Sequence, residues 1–166
     1  MATIQKIVPC LWFDTHAEDA VKFYVSVFPH SRIAHITHYT SAGKEIHGHE
    51  PGSVMTLSFE LAGCPLTALN GGPQFKFSEA ISLQVMCDTQ DEIDRYWNKL
   101  TPGGDENSQQ CGWLRDKFGL SWQIVPANLP ELVTDDDPVK AGRVMNALLQ
   151  MKKLDIARLE EAAHAA

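Results

Sequence analysis

The chain has 166 residues, with 21 acidic against 14 basic side chains and a formal charge of −7. This length suits one domain with a sizeable core, and the acidic balance disfavours a phosphate backbone or an anionic membrane as partner. The start "MATIQKIVPC" carries no leader-like pattern, and no run approaches the roughly 20 apolar residues that span a bilayer, so a cytoplasmic protein is expected that engages neither nucleic acid nor membrane.

The first element is read from "KIVPCLWF" (6–13), a short run with β-branched and aromatic members that predicts a buried strand. In "THAEDAVKFYVSVFP", Ala20, Phe23, Tyr24 and Val27 recur at helical spacing. Thr15 is the expected N-cap with Glu18 three residues later, and Pro29 lies past the end. Strands follow in "RIAHITHYT", "SVMTLSFEL" and "PLTALN"; the second alternates Met55, Leu57, Phe59 and Leu61 with Thr56, Ser58 and Glu60.

The order then restarts, because "AISLQVMC" reads as a strand and "DTQDEIDRYWNKLTP" as a helix with Ile93, Tyr96, Trp97 and Leu100 on one stripe. Asp14-Thr15 recurs as Asp88-Thr89 (88 − 14 = 74) and Pro29 as Pro102 (102 − 29 = 73), the signature of an internal repeat. "GWLRD" and "LSWQIVP" are expected as strands about a turn at Lys117-Phe118-Gly119, whereas the strand expected near 103–111 has little pattern. Beyond Pro126, "ANLPELVTDDDP" is a loop, Asp137 caps a helix that starts at Pro138 and runs to about Met151, and a second helix starts near Asp155. Val144, Leu148 and Met151 form an apolar stripe that must cover an outer sheet face of this chain or of a partner.

The glycine pair of "TALNGGPQFKFSEA" (67–80) does not suit a phosphate, because such a loop needs glycines between a strand and a helix N-terminus and here another strand follows. It reads as the joint between the repeats, with Phe75 and Phe77 either near a ligand or packed in the linker. No Gly-x-Gly turn of the nucleotide or S-adenosylmethionine kind occurs elsewhere. Cys10, Cys64, Cys87 and Cys111 form no Cys-x-x-Cys pair and lie mostly in apolar runs, so reduced packing thiols are expected. His47, His49 and Glu50 of "HGHE" are flanked by glycines and proline and read as a solvated loop. His35 and Tyr39 alternate onto one strand face and are acid/base candidates, and Glu60 is the carboxylate at the polar end of its strand.

The segments "PCLWFDTHAEDAVKFYVSVFPHSRI", "GSVMTLSFELAG", "TALNGGPQFKFSEAISLQVMCDTQDEIDRYWNKL" and "CGWLRDKFGLSWQIVP" resemble the PhnB-like branch of the vicinal oxygen chelate superfamily, which carries the label demethylubiquinone methyltransferase-like. The resemblance implies an α+β fold in which two βαβββ modules form a cupped mixed sheet, the glyoxalase/bleomycin-resistance fold, with C-terminal helices and assembly as a homodimer. It implies one such domain over 1–126, with modules at 3–70 and 79–126, and a helical extension over 127–166 packed on the domain or a dimer partner.

Superfamily enzymes hold a divalent metal through His, Gln or Glu on equivalent strands. Here those positions fall on Val8 or Pro9, on Ser82, on Thr56 or Ser58, and on Gln123. One Gln is not a catalytic metal site, so neither metal nor cofactor is expected. Strand alternation leaves an uncharged wall of Thr56, Ser58, Ser82, Gln84 and Gln123, to which Asn70 and the stacking surface of Trp113 are added as pocket residues for a small neutral or aromatic ligand. The function expected is small-molecule binding without a metal. The alternative is a lyase, isomerase or dioxygenase-like enzyme of the same superfamily, with His35, Glu60 or Gln123 moving protons.

Overall fold

A computed structural model of the chain describes residues 5–165. The chain divides into two compact units, one up to Lys76 and one from Phe77 onward.

The first unit runs β1 (Cys10–Phe13), α1 (Ala17–Val27), β2 (Arg32–His38), α2 (Lys44–His47), β3 (Val54–Leu61) and β4 (Cys64–Asn70). Its sheet has the order β1-β4-β3-β2, with β1 parallel to β4 and the other pairs antiparallel. Leu57, Phe59 and Leu61 are buried while Thr56, Ser58 and Glu60 are half-buried, the period-two pattern of a strand with a helix on one side. Ala17, Ala20, Val21, Tyr24 and Val27 give α1 the buried stripe that packs against β3 and its neighbours.

Two local expectations are corrected here. The first strand starts at Cys10 rather than Lys6, and Ile7 is 82% exposed, because the stretch before Pro9 has no partner strand and proline offers no donor for a ladder. Thr15 does not cap α1. His16 holds the N-cap position without a side-chain bond, and the orphan N–H of Ala17 is met from across the sheet by Asn70 Oδ1 at 2.9 Å.

The second unit repeats the topology with β5 (Leu83–Cys87), α3 (Gln90–Leu100), β6 (Asp105–Gln110), β7 (Trp113–Arg115) and β8 (Ser121–Pro126), in the order β5-β8-β7-β6 with β5 parallel to β8. The expected fold class holds together with the repeat: an α+β chain of two βαβββ units with two four-stranded mixed sheets. Thr89 does what Thr15 was expected to do. Its side chain accepts from the N–H of Glu92, whose carboxylate accepts from the N–H of Asp88 at 2.8 Å. The expected strand from Ala80 starts only at Leu83, leaving Ile81 66% exposed. β6 is "DENSQQ", with no apolar residue to betray it. Its pairing with β7 is irregular, and Ser108 Oγ accepts from the N–H of Arg115 at 2.8 Å.

Beyond the repeat come α4 (Leu129–Val133), α5 (Pro138–Leu149) and α6 (Ile156–His164). Asp137 accepts from the N–H groups of Val139 and Lys140, and Asp155 caps α6 through Arg158, so each helix starts where its Asp predicts. Val144, Met151, Leu154, Leu159 and Ala163 close on Val125, with Leu148 half-buried beside them. The α5 stripe is thus covered by its own chain. The β6–β7 turn is held to this extension, because Cys111 and Gly112, with φ of 53° and 84°, donate to the carbonyls of Met151 and Lys152.

The cysteines depart from the expectation of packing thiols. All are free, but only Cys87 is buried; Cys10 and Cys64 are exposed and Cys111 is half-buried. Burial pushes the Cys87 thiol up to about 12, with the nearby Glu92 charge adding to the shift. Cys10 lies on the open side of β1 and Cys64 at the start of β4, so apolar flanks in sequence did not translate into apolar surroundings.

Candidate functional site

Each sheet has one face turned away from its helix, and these open faces carry the polar side chains. In the first unit the register sets Trp12, Leu69, Thr56 and Thr37 in one row and Cys10, Thr67, Ser58 and His35 in the next. Thr56 is engaged locally, its Oγ1 2.6 Å from that of Thr37. Ser58 is half-buried and its hydroxyl makes no hydrogen bond among the described residues. Glu60 binds Arg32 through both carboxylate oxygens, at 3.0 and 2.9 Å, which occupies it as a proton acceptor. Asn70, expected in the pocket wall, is 6% exposed: Oδ1 accepts from Ala17 and Nδ2 donates to the Val54 carbonyl at 3.1 Å. Its polar atoms hold the fold and are not offered to a ligand.

His35 and Tyr39 do not form an alternating pair, because β2 carries register shifts after Ile33 and after Thr37 and ends at His38. Tyr39 donates from its hydroxyl to the Asn70 carbonyl at 2.6 Å, and burial pushes its phenol up. Its ring is stacked on His49 at 4.3 Å between centroids and lies 4.6 Å from that of His47. His47 Nδ1 in turn accepts from the N–H of His49 at 3.1 Å. The "HGHE" stretch thus wraps the tyrosine instead of opening a chelating pair to solvent. Gly71 and Gly72 form a seat for Trp12: its indole donates to the Gly72 carbonyl at 2.9 Å, Phe75 meets it edge-on at 4.9 Å, and a Cβ on Gly71 would lie 2.3 Å from the ring.

The second unit brings expected residues together. Gln84 Nε2 donates to Gln123 Oε1 at 3.1 Å, and Gln123 Nε2 donates to Ser82 Oγ at 2.8 Å. Trp113 is the cross-strand neighbour of Gln123 in the same row. Beside this ladder is a cavity of about 580 Å³ whose walls include Asn107, Gln110, Cys111, Trp113, Ser121 and Leu149. Glu79 also reaches the cavity, but its carboxylate is paired with Arg115, which binds Asp105 as well. One guanidinium thus serves two carboxylates, and the cluster at the cavity rim keeps a net negative charge.

Ser121 and Cys111 were missed as site residues. Ser121 shares strand parity with Gln123, a usable signal in "LSWQIVP"; Cys111 and Leu149 enter only through a turn and a helix distant in sequence. The turn beyond Arg115 has its own fastener. Asp116, 2% exposed, accepts from the N–H groups of Phe118 and Leu120 and from the Trp122 indole.

The residues at the superfamily's metal positions do not fit a metal. Gln123 Oε1 already accepts from Gln84, Ser82 and Thr56 offer hydroxyls, and no group of three or more His, Cys, Asp or Glu side chains converges among the described residues. A nucleoside cofactor fares no better at the strand-to-helix turns. Asp14-Thr15-His16 and Asp88-Thr89 contain no glycine, and the first free N–H of α1 is taken by Asn70.

Two βαβββ repeats, each closing a four-stranded mixed sheet over one helix, define the glyoxalase/bleomycin-resistance fold. The profile of the family described as 3-demethylubiquinone-9 3-methyltransferase matches residues 5–125, and the chain belongs to that family, a PhnB-like branch of the vicinal oxygen chelate superfamily. The solved PhnB protein from Bacillus cereus is 35% identical over 74% of this chain and 100% of its own, with a TM-score of 0.63. A Pseudomonas aeruginosa protein, 19% identical over 73% of this chain and 96% of its own, shares the fold with a TM-score of 0.56. No curated protein matches the chain.

Proposed function

We propose that the protein binds an uncharged small molecule, without a metal, on the open face of its second unit. Ser82, Gln84, Trp113 and Gln123 form one edge of this site and the adjoining cavity receives the bulk of the ligand. The observation that carries this reading is the cavity itself. Its volume of about 580 Å³ falls in the ~300–1,000 Å³ range of small-molecule sites, and its walls combine apolar surface with a few polar groups, all of them neutral except Glu79, which is paired with Arg115. Asn70 is outside the set, being fully engaged, whereas Thr56 and Ser58 offer hydroxyls on the first unit's own open face. The family's methyltransferase name is not carried over as an activity, because neither strand-to-helix turn of the two repeats, at 14–16 and 88–89, carries the glycines that a nucleoside methyl donor needs.

Thermal-shift titration tests the proposal. A ligand that binds only the folded chain stabilises it by about 2.7 kcal/mol at a hundredfold excess over its Kd. Neutral aromatic probes are expected to raise the Tm, and magnesium, manganese, zinc and nickel ions to leave it unchanged. A metal retained at one per chain after purification, and lost in Gln123→Ala, would replace this reading with the enzyme.

A further inference from the structure

Three side chains on the open face of the second unit are joined by two hydrogen bonds that have no fixed direction. Gln84 Nε2 donates to Gln123 Oε1 at 3.1 Å, and Gln123 Nε2 donates to Ser82 Oγ at 2.8 Å. A carboxamide carries its donor and its acceptor on one rotatable carbon, and a hydroxyl serves as either, so turning both amides over keeps both bonds with every donor and acceptor exchanged. In the direction seen here the Ser82 proton makes no hydrogen bond among the described residues. In the reversed direction it bonds Gln123 Oε1, and Ser82 presents lone pairs alone. Gln84 is exposed, so water meets whichever of its atoms the ladder does not use, while Ser82 and Gln123 are half-buried. Trp113, cross-strand from Gln123, adds a half-buried indole to the row. Ser121, next on this face of β8, has no partner for its Oγ among the described residues, but at 2% exposure it is sealed off and offers a ligand nothing.

Resting on the binding reading above, we propose that this ladder is a reversible selector, through which Ser82 holds a flat, uncharged aromatic molecule by one polar group that is either a carbonyl or an N–H. A carbonyl is met by the ladder in its present direction, because the Ser82 proton is available to donate to it. An N–H is met by the reversed ladder, donating to Ser82 Oγ while the serine's own proton bonds Gln123 Oε1. Without reversal, that proton would be left beneath the ligand with no acceptor. The ring lies on the Trp113 side of Gln123, where the indole offers stacking surface. An anionic ligand is repelled by the net negative cluster of Glu79, Asp105 and Arg115.

Three neutral bicyclic probes of similar size separate the cases: 1-indanone only accepts, indole only donates, and indene does neither. Affinities are read by Tm-shift titration of the full chain. In the parent, indanone and indole are expected to bind within about threefold of each other and each about fivefold tighter than indene, the factor for one neutral hydrogen bond. Gln84 is exposed, so substitutions there spare the core, and because the probes are neutral an added charge acts on them alike. Gln84→Glu only accepts and holds the ladder reversed: indanone should fall to the level of indene, and indole should keep its advantage. Gln84→Lys only donates and holds the present direction, so indanone should keep its advantage and indole should lose most of its own. Ser82→Ala should bring all three probes level. A preference confined to one probe in the parent, equal binding of all three, or the same response of indanone and indole to both Gln84 variants overturns the selector but leaves small-molecule binding standing. If none of the three moves the Tm of the parent, the binding reading falls together with the selector.

Discussion

Asn70 shows how one side chain replaces several local signals. It sits at the end of β4 opposite Phe13, so the strand pairing delivers its amide to the start of α1, where Oδ1 meets Ala17 and Nδ2 meets Val54. Replacing it by alanine leaves an orphan N–H at the helix start and an orphan carbonyl in β3, a loss of about 2 kcal/mol. Urea unfolding of Asn70→Ala should show that loss, and affinity for neutral aromatic probes should stay unchanged. A variant as stable as the parent but deficient in binding would return Asn70 to the ligand site. Asp116 has the same character: a buried carboxylate whose three donors fix the β7–β8 turn, and with it the position of Ser121.

At the level of elements, the C-terminal helices are fastened by polar as well as apolar contacts. Gln90, at the first turn of α3, donates to the Leu154 carbonyl and accepts from the Ile156 N–H, while Lys153 and Gln90 both bind Asp94. Hydrogen bonds from Lys153 first, and then from Gln90, hold the Asp94 carboxyl below the usual carboxylate range. With the folded value lowered, the unfolded chain takes up this proton first as pH falls. The contribution is therefore complete above the ordinary Asp value of about 3.9 and is lost as pH drops through the folded value. Chemical unfolding at pH 7, 4 and 3 should show parent stability falling over the last interval, and Asp94→Asn should show a smaller fall. Asp94 is partly exposed, so salt should reduce the effect.

For the whole molecule the open matter is self-association. The α5 stripe that sequence left for either an own-chain or a partner surface is covered by Val125 and α6, so it no longer argues for a dimer. What remains is the other side of that helix, where Val139 and Met145 are 63% and 38% exposed. We infer that this apolar surface contributes to a homodimer. Analytical ultracentrifugation should give a dimer whose population falls in Met145→Lys, and a monomer at all concentrations would refute it.

The hydrophobic periods and the repeated Asp-Thr pair were enough to read two βαβββ units, because burial of one face imposes a pattern that survives in sequence order. Asp137 and Asp155 were legible for the same local reason, a cap being a contact within three residues. Parity along β5 and β8 also placed Ser82, Gln84 and Gln123 on one face. β6 was illegible because "DENSQQ" buries no apolar side chain, its pairing held by backbone and by Ser108. Asn70 looked like pocket wall and became a helix fastener, because strand pairing chose which distant N–H it would meet. The cavity and its unpaired Ser121 were likewise decided only by tertiary structure: whether a hydroxyl finds a partner depends on every element around it, and no spacing along the chain encodes that.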